Sequence, residues 1–432
     1  MNHHEKHRTR TLWLTGVLHG FTHLYQVVLL PLYLQIQQDL HLASVEKATL
    51  LLTIMFAAYF IPSYPMGVLA DKLSRKKLLG IGLAINGLGF LLLSLSSNYG
   101  WAVLSMIVAG IGGSFYHPAA TALIARLFPE ARGRALGWVG TGASVGFFLG
   151  PIYCGWRSMA AGSWRMPIGE IGVMGIITAG FFMWLADEER ADPATAAQTK
   201  VIGTSHKAVS VAAFNSLFPS AALWLLFLGA AFALSLRDFT GSAMGTSASL
   251  FLQNAHGYSS KAAGWALSGA FVASAISNPI FGRLSDRGRM RWAAFLLIMA
   301  GVLVSLFPRV PVAWKGWVLL AYGFFFMATY PITEAALMEA VPDAVRGRVF
   351  GVFITIGGFV GNLSHWAVGE WVHRLGLRAG IPESYLPLYT TLTVLVLLSM
   401  LGLPCLKAIR QKEDLPKQPL GETIALQPAA TP

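Results

Sequence analysis

The sequence has little charge. Only 12% of its 432 residues are Asp, Glu, Lys or Arg, whereas 55% are hydrophobic. A soluble globular domain carries roughly 25% charged residues, so this chain lacks the charge to cover a water-facing surface. The net charge of +12 would favour nucleic acid if it were clustered. The basic residues instead stand singly between apolar runs, as in membrane proteins, and we expect no nucleic-acid partner.

The sequence also has almost no cysteine. Cys154 and Cys405 both fall in apolar segments, which argues against a disulfide framework and offers no metal-ligand spacing. No nucleotide-binding loop or nucleophile elbow is present. We therefore expect no cofactor, no bound metal, no enzymatic activity and no transport driven by ATP hydrolysis in this chain.

The start of the chain, residues 1–11, is polar and basic. It leads into an apolar run that has no small-residue cleavage site, which indicates an uncleaved first span and not a signal peptide. Its histidines, His3, His4 and His7, could bind a metal, but a disordered cytoplasmic tail is the favoured interpretation.

The remaining chain is dominated by apolar runs long enough to cross a membrane, which takes roughly 20 helical residues. Twelve such runs are predicted, and they are called spans 1 to 12. Their bounds are about 12–34, 46–70, 78–97, 101–127, 134–155, 168–186, 220–252, 260–284, 292–308, 312–339, 349–372 and 386–408.

Two polar segments divide these spans. Residues 187–219 are predicted to be a cytoplasmic linker between an N-terminal half, 12–186, and a C-terminal half, 220–410. Residues 411–432 are predicted to be a disordered cytoplasmic tail. With both ends in the cytoplasm, inner segments hold 23 of the 32 Lys and Arg residues and outer loops hold 8. This bias predicts that orientation, in a cell inner membrane.

The two halves repeat one another. Asp71 and Asp286, each in a charged turn between apolar runs, lie 215 residues apart, and Pro118 and Pro331 lie 213 apart. Further matches are Pro129 with Pro342, Arg132-Gly133-Arg134 with Arg346-Gly347-Arg348, and Leu32–Gln35 with Leu250–Gln253. Repetition at half the chain length indicates two copies of one unit. We therefore predict an all-α integral membrane protein with twelve transmembrane helices in two six-helix halves, related by a pseudo-two-fold axis along the membrane normal.

The charged turns carry a family resemblance. Gly67 to Lys77 resembles the signature loop between helices 2 and 3 of the major facilitator superfamily, with Ser74 where the family usually has glycine. The second copy, Gly282 to Arg289, is one residue shorter before its glycine. The resemblance extends over nearly the whole chain. It implies transport by alternating access through a cavity lined by helices 1, 4, 7 and 10.

Other motifs resemble particular branches of this family. Gly146-x-x-x-Gly150-Pro151 is similar to a motif of its proton-driven antiporters, and Gly112 to Pro118 with Leu236-Arg237 is similar to the fosmidomycin-resistance branch of exporters. Met106 stands where the family often has a membrane-buried arginine tied to proton coupling. This departure puts the usual proton route in question.

Ionisable residues inside the spans are concentrated in the four helices that the resemblance places around the cavity. They are His19 and His23 in span 1, His117 in span 4, Arg237 and Asp238 in span 7, and Glu334 in span 10. Charges inside a membrane are costly and usually face a cavity or the bundle interior. In span 1, Gln26 continues the polar face at helical spacing.

The repeat aligns His19 with Arg237, and His117 with Tyr330, so these positions should face one another across the cavity. Substrate-binding roles are predicted for His19, His23, Gln26, His117, Arg237 and Tyr330. Arg237 could hold a carboxylate or phosphonate through its rigid fork. Its neighbour Asp238 should point about 100° away, so each is expected to pair with another helix.

Asp238 and Glu334 are the predicted proton carriers, because a desolvated carboxyl can load and release a proton near neutral pH. The cavity histidines are alternatives, since their unperturbed pKa is about 6.5. The competing interpretation is that these histidines only pack helices and that Arg237 and Asp238 form structural pairs.

Gate roles are predicted at the cytoplasmic side. The resemblance implies that Asp71 and Asp286 dock at neighbouring helix N-termini, with Arg134 and Arg348 as candidate partners, and hold this side closed. The full predicted gate set is Asp71, Arg75, Arg134, Gly146, Gly150, Pro151, Asp286 and Arg348.

These features predict a monomeric secondary transporter, surrounded by lipid, that exports a small organic molecule or drug in exchange for protons. A symporter or uniporter for a small organic anion is the alternative within the same class. A receptor or scaffold that kept the fold but lost transport is the alternative of another class.

Overall fold

The computed structural model describes residues 3–187, 217, 218, 220–341 and 345–413. The regular structure of these residues is helical. In the N-terminal half the helices are α1 His3–Val27, α2 Tyr33–Asp39, α3 Val45–Phe60, α4 Ser63–Lys72, α5 Arg75–Ser94, α6 Tyr99–Ser114, α7 Tyr116–Leu127, α8 Arg132–Ala161 and α9 Arg165–Leu185. In the C-terminal half they are α10 Ala221–His256, α11 Ser260–Ser285, α12 Arg289–Leu306, α13 Lys315–Phe326, α14 Thr329–Ala340, α15 Arg346–Leu375, α16 Leu386–Leu398 and α17 Gly402–Glu413.

The twelve predicted spans correspond to these helices, singly or in consecutive pairs. Spans 1, 2, 4, 10 and 12 are the pairs α1–α2, α3–α4, α6–α7, α13–α14 and α16–α17, and the other spans are single helices. Ten helical stretches of the described residues are long and apolar enough to cross a membrane. The two other spans are α3–α4, which is interrupted before Ser63, and α11, which is rich in serine. The prediction of an all-α, twelve-span architecture is confirmed.

Helix breaks recur at equivalent places in the two halves. Span 4 breaks at Phe115, three residues before Pro118, and span 10 breaks at Met327–Ala328, three residues before Pro331. Proline has no N–H for the helical ladder and clashes with the preceding turn, so a break on its N-terminal side is expected. The breaks place His117 and Tyr330, the residues before the two prolines, in the first turn of a new helix.

The helix bundle has two ends, which are called the charged-turn end and the opposite end. The charged-turn end carries the turns between α4 and α5 and between α11 and α12, and the opposite end carries the turn between α2 and α3. Ser74 at the first turn caps α5, because its side chain accepts a hydrogen bond from the Lys77 N–H at 3.3 Å. This cap is a physical reason for serine at that position.

The two halves join along two antiparallel helix crossings. At the α8–α11 crossing, Phe147 stacks on Phe271 with ring centroids 5.0 Å apart, and a Cβ on Gly264 would overlap the Pro151 carbonyl. At the α3–α15 crossing, Trp366 Nε1 donates to Glu46 Oε1 at 2.8 Å. These contacts lie toward the opposite end.

Toward the charged-turn end, the same four helices leave space. A Cβ added at Gly137 or Gly140 of α8, Gly282 of α11 or Gly351 of α15 would meet no atom of the described residues within 4 Å. In this direction α3 ends at Phe60, whose ring contacts Gly358 of α15. The halves therefore converge at the opposite end and diverge toward the charged turns.

The predicted disordered start is wrong over residues 3–11, because α1 begins at His3. His7 and Arg10 contact the Asp187 carboxylate at 2.9 and 3.2 Å, which ties this helix to the end of α9. Partial burial opposes the charge, but these partners lower the pKa of Asp187 below its ordinary value. The predicted linker lies outside the described residues except for 187, 217 and 218, and so does the predicted tail beyond Glu413.

Candidate functional site

The three predicted cavity histidines come together in the N-terminal half. The His19 and His23 Nε2 atoms lie 3.0 Å apart on one face of α1. The His117 ring, on α7, lies 5.4 and 5.6 Å from the rings of His19 and His23. His117 is exposed, so this histidine cluster borders an accessible space.

Fixed partners orient two of these rings. His19 Nδ1 lies 2.9 Å from the Val139 carbonyl oxygen of α8, and His23 Nδ1 lies 2.8 Å from Gln26 Oε1. Tyr116 stacks on the His19 ring at 4.8 Å. The predicted polar face of span 1 therefore includes Gln26 as a positioning partner of His23.

A second cluster of ionisable groups lies in the C-terminal half. Arg237 donates to Asp238 Oδ1 through Nε at 3.0 Å and through Nη2 at 2.7 Å. The expectation that these neighbours could not pair is wrong. The 100° between their Cα–Cβ directions does not prevent contact, because the arginine side chain is long and flexible enough to bend back.

The Arg237 side chain is buried between α10 and α14. It is 1% exposed, against 14% for the side chain of Asp238. Nη1 donates to Thr333 Oγ1 at 2.5 Å, and the guanidinium carbon lies 4.0 Å from the Tyr330 ring centroid, a cation–π contact. In this conformation Arg237 is a buried, paired charge, and Tyr330 covers it.

Asp238 and Glu334 differ in their surroundings. Asp238 packs on α15, where a Cβ added at Gly357 would overlap its carboxylate and one at Gly361 would lie 2.9 Å from its Cβ. Glu334, on α14, is partly exposed and interacts electrostatically with Arg237 and Asp238. No hydrogen bond or ion pair of Glu334 is formed among the described residues.

A buried polar network joins the halves beside this charged cluster. His365 Nδ1 lies 2.6 Å from Thr246 Oγ1, and its ring stacks on Phe56 of α3 at 5.6 Å. Asn362 Oδ1 accepts from Ser242 at 3.2 Å, while its carbonyl accepts from Thr53 at 2.9 Å. Because Thr53 and Phe56 belong to α3, this network lies at the interface between the halves.

A continuous line of contacts connects the two clusters. Gly357 and Gly361, which contact Asp238, flank Gly358, which contacts the Phe60 ring. Phe60 packs edge-on against Tyr59 at 5.0 Å, and Tyr59 lies 6.2 Å from His117. Movement of α15 relative to α3 would therefore change the contacts of both clusters.

The predicted gate residues divide into two groups. Gly146 and Gly150 contact α1, since a Cβ at Gly146 would overlap the Gly20 carbonyl and one at Gly150 would lie 2.9 Å from Val27. Pro151 contributes its carbonyl to the α8–α11 crossing. These three positions pack α8 against α1 in its own half and against α11 in the other half.

The charged members of the gate set lie at the charged-turn end. Arg134 and Arg348 are exposed in the first turns of α8 and α15, and Arg75 is the first residue of α5. Asp286 pairs with Arg289 at 3.4 Å, so Arg348 is not its partner in this conformation. The side chain of Asp71, in the last turns of α4, lies outside what the structure describes.

The sequence-based site missed two groups of ionisable residues. Arg157 and Tyr153 of α8 both donate to Glu170 of α9, the arginine Nη2 at 2.6 Å and the tyrosine hydroxyl at 2.6 Å. Lys315 is 1% exposed, and its Nζ donates to the Phe307 carbonyl at 3.0 Å. Both groups lie near the opposite end. There the sequence gives only approximate span boundaries and does not indicate which side chains pair with one another.

Comparison with known proteins identifies the family. A model described as Major Facilitator Superfamily matches residues 12–364. The quinolone resistance protein NorA of Staphylococcus aureus is 23% identical over 349 residues, which cover 78% of this chain and 83% of that protein. A probable L-galactonate transporter of Escherichia coli is 28% identical over 202 residues, 45% of this chain and 44% of that protein.

Solved structures show the same fold. A bacterial homologue of the human lysosomal transporter Spinster, in an inward-facing and unoccupied conformation, superposes with a TM-score of 0.69 and 18% identity, covering 94% of this chain and 96% of that one. A bacterial homologue of human drug peptide transporters gives a TM-score of 0.68 and 14% identity, covering 94% and 99%.

The family model, the relatives and the fold agree with the repeat and with the signature turns of the sequence. The resemblance predicted from the motifs is thereby confirmed at the level of the superfamily. The chain belongs to the Major Facilitator Superfamily and is a multi-pass membrane transporter for small molecules, not an enzyme.

Proposed function

We propose that this transporter is a secondary exporter that exchanges protons for a small organic molecule by alternating access. The observation that best supports proton coupling is the environment of Glu334. It is a partly exposed carboxyl inside span 10 and has no hydrogen-bond partner among the described residues. An ionisable group inside a membrane is costly, and one without a fixed partner is suited to bind and release a proton. The similarity to a quinolone resistance protein supports export of an organic molecule.

The roles of the charged cluster follow from its contacts. Asp238 is bound to Arg237 by two hydrogen bonds, so protonating it would break a buried ion pair, which is costly. Glu334 is therefore the first proton acceptor in the proposed cycle, and Asp238 exchanges Arg237 for another partner when the conformation changes. Arg237 becomes available to an anionic group only when that exchange occurs.

The substrate is proposed to contact the exposed faces of both halves. His117 is exposed and Tyr330 is partly exposed, and they occupy equivalent positions at the two proline breaks. His19, His23 and Gln26 lie behind His117 and complete the N-terminal side of the site. Aromatic and imidazole rings suit flat organic molecules through stacking and hydrogen bonding.

The conformation of the bundle supports alternating access. The halves converge at the opposite end and diverge at the charged-turn end. With both termini in the cytoplasm of a cell inner membrane, as the Lys and Arg bias predicts, the open end faces the cytoplasm. Among the described residues Asp286 pairs with Arg289 and not with Arg348, as expected if the cytoplasmic gate is open.

An organic-anion symporter is the second candidate. Met106 is fully buried at the position where the family resemblance implies an arginine, and a probable L-galactonate transporter is among the relatives. Substrate carboxylate binding by Arg237 after release from Asp238 would fit this alternative.

Proteoliposomes with a trapped pH-sensitive dye distinguish these candidates. A quinolone, tetraphenylphosphonium and galactonate serve as the probes. Proton movement opposite to a quinolone or tetraphenylphosphonium is the result expected for the exporter. Movement of protons together with galactonate would replace the exporter by the symporter, and no transport of any probe that exceeds that of empty liposomes would contradict both.

A further inference from the structure

We propose that His19, His23 and His117 form a binding site for a divalent transition-metal ion such as Zn²⁺, with one coordination position open to the accessible space beside His117. One potential ligand nitrogen from each histidine lies within 4.8 Å of the other two. The proposal does not rest on proton coupling, and it differs from the expectation that the chain binds no metal.

The first step of the argument concerns the protons on the rings. A backbone carbonyl oxygen only accepts, so the His19 Nδ1 that lies 2.9 Å from the Val139 oxygen carries the hydrogen. His23 Nδ1 likewise donates to Gln26 Oε1 at 2.8 Å. A neutral imidazole has one N–H and one lone pair. Both Nε2 atoms therefore carry lone pairs.

These two lone pairs face one another, since the His19 and His23 Nε2 atoms are 3.0 Å apart. Two acceptors at hydrogen-bond distance repel each other unless a cation lies between or beside them. Zn²⁺ binds histidine nitrogen at about 2.0–2.1 Å in tetrahedral geometry, which places two ligand nitrogens roughly 3.3 Å apart. The observed separation needs to widen only slightly.

The local structure is also that of a metal site. His19 and His23 stand four residues apart on one helix face, the spacing at which two histidines bind one ion. Metal-binding histidines usually donate their other N–H to a carbonyl or carboxylate, which fixes the ring and its tautomer. Val139 and Gln26 provide these acceptors here.

The third histidine lies on a different helix and on the accessible side. His117 packs edge-on to His19 and is exposed, so its ring can turn toward the ion at little cost. Three protein ligands with a fourth position left to water or substrate are typical of functional zinc sites. An all-imidazole set favours Zn²⁺, Co²⁺, Ni²⁺ or Cu²⁺ over Mg²⁺ and Ca²⁺, which prefer oxygen.

The charge of this site predicts the nature of the fourth ligand. Three neutral imidazoles leave the full charge of the ion uncompensated inside the bundle, where an unpaired charge is unfavourable. An anionic ligand is therefore favoured at the open position. Azide is a suitable probe, because it binds open metal positions and changes their spectra.

The experiment uses the full-length protein without a histidine tag and with His3, His4 and His7 replaced by glutamine, so that the chain start cannot chelate. Co²⁺ titration followed by visible absorbance should give one tetrahedral site per chain, and Zn²⁺ should displace Co²⁺. Azide should shift the Co²⁺ bands. His23→Ala and His117→Ala should each weaken binding by more than about 100-fold, and Gln26→Met by about 10- to 100-fold.

His373→Ala is the matched control, because His373 is exposed at the end of α15 and outside the cluster. It should bind Co²⁺ as the parent protein does. Equal Co²⁺ affinity in the parent, His23→Ala and His117→Ala proteins would overturn the proposal. It would also be overturned if the bound Co²⁺ gave only the absorbance bands of octahedral coordination. The histidines would then form a hydrogen-bonded chain or share a proton. Loss of proton-coupled transport in Glu334→Gln with Co²⁺ binding retained would show that the two proposals stand separately.

Discussion

Arg237 and Asp238 are neighbours in the sequence and partners in space, with Nη2 2.7 Å from Oδ1 and the arginine 1% exposed. A buried ion pair stabilises a fold weakly, but removing one partner leaves the other charge without compensation. A substitution that neutralises one member of the pair should therefore destabilise the fold more than one that neutralises both.

We expect Asp238→Asn alone to lower the free energy of unfolding by roughly 3–5 kcal/mol and to abolish proton-coupled transport. Arg237→Gln combined with Asp238→Asn removes both charges and should recover most of the stability without recovering transport. Thermal unfolding of the purified proteins and transport in proteoliposomes measure the two effects. If the single and double variants were equally stable and both transported, neither the pair nor the coupling role would hold.

Glu334→Gln should behave differently, since this carboxyl has no hydrogen-bond partner to lose among the described residues. We expect unchanged thermal stability, loss of transport driven by a pH gradient, and retained exchange of labelled for unlabelled substrate. Exchange needs the conformational change but no net proton movement.

The matched control is Glu339→Gln on the same helix. Glu339 pairs with Arg289 at 2.5 Å and Arg410 at 3.4 Å near the charged-turn end, and exposed pairs contribute only about 0–1 kcal/mol. Its transport should still respond to the pH gradient. Normal gradient-driven transport by Glu334→Gln would assign the proton to another residue.

Gly146 tests the close approach of α1 and α8. A Cβ at this position would overlap the Gly20 carbonyl, whereas one at Gly140, less than two turns away, would meet no atom of the described residues within 4 Å. Overpacking costs roughly 1–3 kcal/mol, so Gly146→Ala should unfold at lower temperature than Gly140→Ala. Equal unfolding temperatures would show that α1 and α8 separate freely and that the motif has another purpose.

The spans could be predicted because bilayer thickness sets the length of an apolar run. The two halves could be predicted because the sequence repeats at half its length. The site was predicted less completely. His19 and His23 share a face by helical spacing alone, but the approach of His117 depends on how α7 packs against α1. The pairing of Arg237 with Asp238 depends on a rotamer that helical geometry does not determine. The partner of Asp286 likewise depends on which end of the bundle is open.

The convergence of the halves at the opposite end yields a conformational prediction. A Cβ at Gly369 of α15 would overlap Thr49 Oγ1 and lie 2.9 Å from the Glu46 Cα of α3. Gly369→Val should therefore separate α3 from α15 at this end, at a cost of roughly 1–3 kcal/mol. A free-energy difference of that size shifts the ratio of two conformations by about 5- to 150-fold, away from the conformation that is closed at the opposite end.

Spin labels measure this shift directly. Leu95 and Leu377 are exposed, lie in different halves and stand at the opposite end, so cysteines at these positions can carry labels after Cys154 and Cys405 are replaced by alanine. Gly369→Val should lengthen the distance between the labels. Gly351→Val is the control on the same helix. A Cβ at Gly351 would meet no atom of the described residues within 4 Å, so this variant should leave the distance unchanged. Identical distance distributions in the two variants would mean that the α3–α15 crossing does not close this end of the transporter.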